Sequence, residues 1–243
     1  MTIKGIIFDL GSTLIKFGGD WKITDQTGAK AMSDWFKKKR VKHDQKTFVD
    51  TFLSKRNAGF VLARQTDMEV TITASLEKTI KKLDMPAQAI PLISDAIKLY
   101  LEAESKSWSC YVDTLPTLKM LKRQGYYMGL YSNATDDPFV QRLVNLHRLR
   151  PLLSPTFSSA GLGWRKPKAK PFQLISERWE IPTNEIVVVG DNLRADILGA
   201  QNAGMASVLV TQNEAASNVD YRHIKPTVTI PSLATLPGVL GQL

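Results

Sequence analysis

The chain has 243 residues, a formal net charge of +9, and a hydrophobic content of 43%. This length allows one large domain or two smaller ones, and the composition is ordinary for a globular protein. A single cysteine, Cys110, excludes an internal disulfide framework and is compatible with a reducing cytoplasm. Because no apolar stretch approaches the roughly 18 residues needed for a membrane span, we expect a cytoplasmic protein with no membrane partner.

The excess positive charge does not by itself indicate a nucleic-acid partner. The densest basic run, Lys37–Lys42, lacks the interleaved glycines and aromatic residues of a base-stacking surface. It fits a solvated helix end, where cations face the negative end of the helix dipole. A second interpretation is that the positive field attracts small anionic substrates. We therefore expect no nucleic-acid partner, and the sequence leaves the oligomeric state open.

Short apolar runs predict strands at residues 5–9, 126–131, 186–189, 206–210 and 227–230. Segments with helical spacing separate the later runs, and this alternation predicts an α/β fold with a Rossmann-like parallel sheet. In such sheets the ligands bind at the carboxyl ends of the strands. Residues 17–108 interrupt the alternation with amphipathic, strand-poor sequence. They predict a helical insertion into a core formed by residues 1–16 and 109–243.

Polar groups stand at four places where an apolar strand ends or a helix begins. They are Asp9, Ser132 with Asn133, Lys166 in Gly163–Pro167, and Gly190-Asp191 with Asp196. Taken singly, an aspartate after a strand is more often a helix N-cap than a nucleophile. All four places together, in this order and with these residue types, favour a catalytic site.

This arrangement resembles the haloacid dehalogenase superfamily, most of whose members are magnesium-dependent phosphatases. The family begins with Asp-x-Asp-x-Thr, which reads Asp9-Leu10-Gly11-Ser12-Thr13 here. Its second motif is a Ser or Thr after the second strand, matching Ser132. Its third is a lysine often followed by proline, matching Lys166-Pro167. Its fourth is Gly-Asp with a later Asp, matching Gly190, Asp191 and Asp196. The resemblance implies that residues 17–108 form a helical type 1 cap domain.

The resemblance also implies the role of each matching residue. Asp9 would attack phosphorus and form an aspartyl-phosphate, which divides one difficult step into two. Lys166 would hold the phosphate and restrain Asp9, and the Ser132 hydroxyl would donate to a phosphoryl oxygen. Thr13 and Asn133 are candidate substrate-binding residues. The alternative for Thr13 is that it caps the turn, and the alternative for Asn133 is that it bonds the loop backbone.

Magnesium is the cofactor that the resemblance implies. Mg²⁺ prefers oxygen ligands, and Asp9 and Asp191 can supply them. The family adds the backbone carbonyl at the position of Gly11, a ligand that any side-chain change preserves. Asp196 would support the metal site from behind, with capping of a helix from Ile197 onward as its alternative. The expected partner is a small phosphorylated substrate.

Gly11 is the one departure from the family pattern. Phosphatases of the family have an aspartate there, which protonates the leaving alcohol and then activates the hydrolytic water. Glycine can do neither, and general acid–base catalysis typically contributes about 10²–10⁴-fold. Three hypotheses follow. The first is a phosphatase or phosphotransferase whose substrate has a good leaving group, or which borrows an acid or a water from the cap. The second is a 2-haloacid dehalogenase, and the third is a catalytically weak protein that binds a phosphorylated ligand or a protein partner. The dehalogenases typically have an aromatic residue at this position and lack the metal-binding Gly-Asp, so Gly190-Asp191 favours a phosphatase.

Overall fold

The computed structural model describes residues 2–213 and 215–243 and divides into two compact units. The first unit runs to Phe17 and resumes at Ser109, and the second spans Gly18–Trp108. None of the helices among the described residues is long and apolar enough to cross a membrane.

In chain order the strands are β1 Gly5–Phe8, β2 Ile15–Phe17, β3 Trp108–Cys110, β4 Tyr127–Ser132, β5 Thr156–Ser158, β6 Ile186–Gly190, β7 Ala206–Val210 and β8 Val228–Ile230. The first unit is built on a six-stranded parallel sheet with strand order β5-β4-β1-β6-β7-β8. The remaining strands, β2 and β3, pair in a separate two-stranded sheet.

The central strands β1 and β6 are buried at every residue. Such continuous apolar runs are typical of a parallel sheet that is covered on both faces. Gly5 of β1 lies opposite Tyr127 of β4 on one side and Ile186 of β6 on the other. This register brings the carboxyl ends of the three strands to the same edge of the sheet. The helices of this unit are α5 Thr114–Arg123, α6 Asp137–Leu146, α7 Ser159–Leu162, α8 Lys170–Trp179, α9 Leu198–Asn202 and α10 Leu236–Val239.

The second unit is helical. Its α-helices are α1 Trp21–Lys38, α2 Gln45–Thr66, α3 Ile72–Lys82 and α4 Ile93–Ser105. Side-chain caps define where the first three begin, because Asp20, Asp44 and Thr71 each accept a hydrogen bond from a backbone N–H of the first turn. The basic run begins in the last turn of α1, with Lys37 and Lys38, as expected for cations at a helix end.

The predicted α/β fold is confirmed, with the five predicted strands shifted by no more than a residue or two at their ends. The sequence missed β5 at the edge of the sheet and the short pair β2 and β3. Each of these strands has three residues, which is too short for an alternating pattern to stand out from loop sequence. Their pairing comes from neighbouring strands and not from local preference.

Candidate active site

The nucleophile candidate Asp9 directly follows the central strand β1. Its backbone N–H donates to the carbonyl of Val189 in β6 at 2.9 Å, which extends the strand pairing by one residue. The residue is buried, with 8% of its surface exposed. Because β1 lies between β4 and β6, the ends of both neighbours surround this carboxylate. Asp9 therefore occupies the carboxyl edge where a parallel sheet binds ligands.

Lys166 joins the carboxylates of the site. The residue is 3% exposed, and its ammonium group donates to Oδ1 of Asp9 in a short contact and to Oδ1 of Asp196 at 2.6 Å. A third donation goes to the carbonyl of Tyr131 at 3.1 Å. Three acceptors match the three N–H bonds of an ammonium group. Lys166 is therefore held in one position, with its charge directed at Asp9.

Asp191 follows the end of β6 and is held by polar groups from distant parts of the chain. Thr13, which is fully buried, donates its hydroxyl to Oδ1 of Asp191 at 3.3 Å. Asn218 donates its side-chain amide to the Asp191 carbonyl at 2.9 Å and accepts from the N–H of Leu193 at 2.8 Å. These contacts fix both the backbone and the carboxylate of Asp191.

Asp196 lies in a π-helical turn, Leu193–Ile197, that precedes α9. One of its oxygens accepts from Lys166, and the other accepts from the N–H of Asn192 at 3.0 Å. The cap of this turn is Asn192, whose side chain accepts from Ala195. The alternative that Asp196 caps a helix from Ile197 onward is therefore wrong, since the helical turn begins at Leu193 and Asp196 faces Lys166.

The glycine of the Gly-Asp motif makes room for Asp196. A Cβ atom on Gly190 would lie 2.2 Å from both Cγ and Oδ2 of the Asp196 carboxyl group. No side chain fits there without displacing a carboxylate that is 1% exposed. The Gly-Asp motif therefore needs its glycine for packing, in addition to Asp191 as a candidate ligand.

Ser132 and Asn133 lie at the carboxyl end of β4. Ser132 is the last residue of β4 and is 7% exposed. The strand β4 pairs with β1, the strand that precedes Asp9. Asn133 accepts from the N–H of Lys166 at 2.9 Å and donates to the carbonyl of Lys166 at 3.2 Å. Both polar atoms of this amide thus hold the loop that carries the lysine.

The loop that contains Gly11 turns back sharply after Asp9. The N–H of Leu14 donates to the carbonyl of Leu10 at 2.8 Å, and the N–H of Ser12 donates to the carbonyl of Ile15 at 2.7 Å. Ser12 has a positive φ of 62°, which is uncommon for a residue other than glycine. Gly11 is half-buried within this loop and places no carboxylate beside Asp9.

Burial and mutual repulsion raise the pKa values of two carboxyl groups in the site. Burial raises the pKa of Asp9 to about 6, against the attraction of Lys166 and with further repulsion from Asp196. Burial also raises the pKa of Asp191 to about 8, assisted by Asp196 and Asp9. Burial alone would lower the pKa of Lys166, but Asp196 and Asp9 raise it above its ordinary value. One ammonium group therefore does not balance three carboxylates.

This donor set fits a hard divalent cation. Asp9, Asp191 and Asp196 are all buried, and each offers an oxygen atom within 4.8 Å of the others. Carboxylate oxygens are the ligands that Mg²⁺ takes in proteins. A cation there would also offset the repulsion that raises the pKa values of Asp9 and Asp191. Asp9 and Asp191 are the better placed of the three, because both oxygens of Asp196 already accept hydrogen bonds.

The structure thus brings the predicted Asp9, Ser132, Lys166, Asp191 and Asp196 to one edge of the sheet. Thr13 bonds Asp191, and Asn133 bonds the Lys166 backbone, which is the loop contact expected as its alternative. A substrate-binding role for either residue stays a prediction.

Sequence reasoning missed Asn218, which lies in a 3₁₀ turn well after the last motif. No local pattern marks it, since its partners are the backbone atoms of Asp191 and Leu193. The sequence motifs also do not predict the carbonyl of Tyr131 as the third acceptor of the Lys166 ammonium group.

Residues 44–210, more than half of the chain, match the family model described as haloacid dehalogenase-like hydrolase. A glyceraldehyde 3-phosphate phosphatase of Methanothermobacter thermautotrophicus is 30% identical over 46% of this chain and 49% of its own length. An (S)-2-haloacid dehalogenase 4A of Burkholderia cepacia is 27% identical over 60% of this chain and 62% of its own. The chain spans about half the length of the phosphatase relatives that it matches.

Among solved structures, a 2-haloacid dehalogenase from Pseudomonas syringae pv. Tomato is similar to this chain, with a TM-score of 0.74 and 23% identity over 99% of each chain. Similarity at this level of identity supports the fold and does not distinguish a phosphatase from a dehalogenase.

Proposed function

Because the chain belongs to the haloacid dehalogenase-like hydrolases, we propose that it is a magnesium-dependent phosphatase of a small phosphorylated molecule. The observation that carries this proposal is Asp191, a buried carboxylate with an oxygen within metal-sharing distance of Asp9. A dehalogenase displaces halide without needing to neutralise a phosphoryl group, whereas phosphoryl transfer requires charge neutralisation around the phosphate oxygens. The relatives named as phosphatases support the same choice.

Each residue has a role that follows from its contacts. Asp9 attacks phosphorus and becomes an aspartyl-phosphate, and Lys166 neutralises negative charge beside it through the contact that already joins the two groups. Ser132 donates to a phosphoryl oxygen from the end of β4. Asn133 and Asp196 position Lys166, the first through its backbone and the second through its ammonium group.

Mg²⁺ would be held by Asp9, by Asp191 and by the carbonyl of Gly11, with Asp196 behind them. When bound, Mg²⁺ supplies positive charge to the phosphoryl oxygens and positions the phosphate for in-line attack. Thr13 and Asn218 keep Asp191 in place for this purpose. We further propose that residues 18–108 act as the helical cap of the family and that the enzyme works in the cytoplasm.

The direct test is hydrolysis of p-nitrophenyl phosphate and release of chloride from 2-chloropropionate, each measured with Mg²⁺ and with EDTA. We expect phosphate release that requires Mg²⁺ and no chloride release. Metal-independent chloride release would identify a dehalogenase. Absence of both activities over a broad substrate panel, with binding of inorganic phosphate retained, would identify the catalytically weak alternative.

Metal binding should change how stability depends on pH. The pKa values of Asp9 and Asp191 are raised to about 6 and about 8. A carboxyl group with a raised folded-state pKa stabilises the protein below its ordinary pKa, and this contribution is lost as the pH rises through the folded value. In EDTA we therefore expect Tm to fall from about pH 4, near the ordinary pKa of 3.8, to about pH 8, where both groups are ionised in the folded protein without a cation.

Added Mg²⁺ should offset this loss, so that the Tm difference between Mg²⁺ and EDTA grows with pH. Thermal unfolding followed by circular dichroism measures the difference. Asp191→Asn should remove most of its pH dependence, whereas Asp20→Asn, a change at an exposed helix cap of the other unit, should leave it intact. A Tm difference that is flat with pH would contradict the assignment of Asp191 as a metal ligand.

A further inference from the structure

Tyr131 is the residue before Ser132 in β4, and it is completely buried. Its ring packs edge-on against Phe172 of α8, with 5.3 Å between the ring centroids. Ile7 of β1 and Ile175 of α8 belong to the same core cluster. The packing of the sheet against α8 therefore fixes the position of this phenol.

The hydroxyl of Tyr131 donates to the carbonyl of Trp164 at 2.6 Å. Trp164 lies in the loop 163–169, which joins α7 to α8 and carries Lys166. A buried hydroxyl needs a hydrogen-bond partner, because it has given up its bonds to water. Here that partner is a backbone atom 33 positions further along the chain. The phenol therefore attaches the loop to the core of the first unit.

Tyr131 also contacts the charged end of Lys166. Its carbonyl accepts from the ammonium group at 3.1 Å, and the same group lies 5.7 Å from the centroid of its ring, within the range of a cation–π contact. Tyr131 thus bonds the loop two residues before Lys166 and bonds the end of the lysine side chain as well. The carbonyl is present whatever the side chain, so the hydroxyl is the contact that a substitution can remove.

Two side-chain amides hold the same loop from other elements. Asn133 bonds the N–H and the carbonyl of Lys166, and Asn202 of α9 donates to the carbonyl of Pro167 at 2.9 Å. These contacts hold the loop at Lys166 and directly after it, whereas the phenol holds it before Lys166. The hydroxyl therefore limits how far the lysine backbone can shift away from β4.

We propose that Tyr131 is a positioning residue for Lys166, an inference that rests on the proposed phosphatase function. The phenol keeps the loop in place, so that the ammonium group stays beside Asp9 before the substrate reacts. Charge that develops on the phosphoryl oxygens is stabilised best by a group that is already in position. A displacement of about 1 Å can cost about 100-fold in rate. Tyr131 acts through Lys166 and not on the substrate.

The test is Tyr131→Phe, which removes the hydroxyl and keeps both the ring and the carbonyl. We expect kcat for p-nitrophenyl phosphate in Mg²⁺ to fall roughly 10- to 100-fold, with KM nearly unchanged. The reason for this split is that a displaced charge weakens binding of the transition state more than binding of the substrate. Steady-state kinetics well below Tm measure both constants.

Tyr100→Phe is the matched control in the helical unit. Tyr100 is also buried, at 2% exposed, and its hydroxyl donates to Oδ1 of Asp25 at 2.7 Å. Each variant loses one hydrogen bond of a buried phenol, so both should lower Tm. Only Tyr131→Phe should lower kcat. The same loss of kcat in both variants, or an unchanged kcat in Tyr131→Phe, would overturn the positioning role.

Hydrogen exchange of the backbone in residues 163–169, followed by mass spectrometry, tests the contact without turnover. Exchange should become faster in Tyr131→Phe and stay unchanged in Tyr100→Phe. Unchanged exchange in Tyr131→Phe would show that the hydroxyl does not hold the loop, and this result would leave the phosphatase in place. If the wild-type protein hydrolyses no phosphate ester over a broad panel, the proposed function fails, and the role of Tyr131 in it fails too.

Discussion

Asp9→Asn should abolish Mg²⁺-dependent release of phosphate, with a loss in kcat of at least about 10⁴-fold, as expected when an enzyme loses its nucleophile. The amide has nearly the same shape as the carboxylate but cannot form the acyl phosphate. Steady-state hydrolysis of p-nitrophenyl phosphate measures the loss. Trapping of phosphate on the protein, followed by mass spectrometry, should show a covalent adduct in the wild type and none in the variant.

The fold should tolerate Asp9→Asn, so the loss can be assigned to chemistry. Burial of the Asp9 carboxylate is unfavourable, as its raised pKa of about 6 shows, and the neutral amide removes this cost. Lys166 keeps Asp196 as its charged partner. The Tm measured in EDTA should therefore not fall. An Asp9→Asn variant that keeps its phosphatase activity would argue against Asp9 as the nucleophile.

Gly11→Asp should raise kcat for alkyl phosphates by about 10²-fold or more, within the usual range of general acid–base catalysis. The positive φ angles of glycines in the described chain occur at Gly125, Gly163 and Gly204. The backbone at Gly11 is therefore compatible with a side chain. The new carboxyl group would protonate the leaving alcohol and then activate water. For p-nitrophenyl phosphate the gain should be smaller, because its leaving group needs no proton.

The matched control for this gain is Gly11→Asn, which adds the same volume without a group that can transfer a proton. Rates for an alkyl and an aryl phosphate, measured for the three proteins, give the change in leaving-group dependence. If Gly11→Asp leaves alkyl phosphate turnover flat while its Tm matches that of the wild type, the missing acid does not limit the reaction.

The sheet was predictable because its central strands are fully buried. Residues 186–190 form an unbroken apolar run that is buried at every position. Their strand assignment therefore does not depend on context. In contrast, Thr156–Ser158 forms a strand only because it pairs with Leu130–Ser132 of β4. Nothing within those three residues distinguishes them from a loop. Long buried elements are encoded locally, whereas short edge strands depend on their neighbours.

The site was predictable to the extent that its groups sit in short motifs at strand ends. Asp9, Lys166 and Asp191 were identified in this way, because each follows or precedes a recognisable element. The contacts of Thr13 and Asn133 were not identified in this way, because either side chain could have faced substrate. Their hydrogen bonds to Asp191 and to the Lys166 backbone connect residues that lie 178 and 33 positions apart. No single-sequence pattern reports such pairings.

The order and spacing of the motifs alone identified the family and the parallel α/β sheet, because buried strands and strand-end carboxylates are local features of the chain. Tertiary contacts decided which acceptors hold Lys166, why position 190 must be glycine, and that Asn218 anchors Asp191. The physical reason is that hydrogen bonds, close contacts and pKa shifts depend on distances between residues far apart in the chain, and only the folded chain sets those distances.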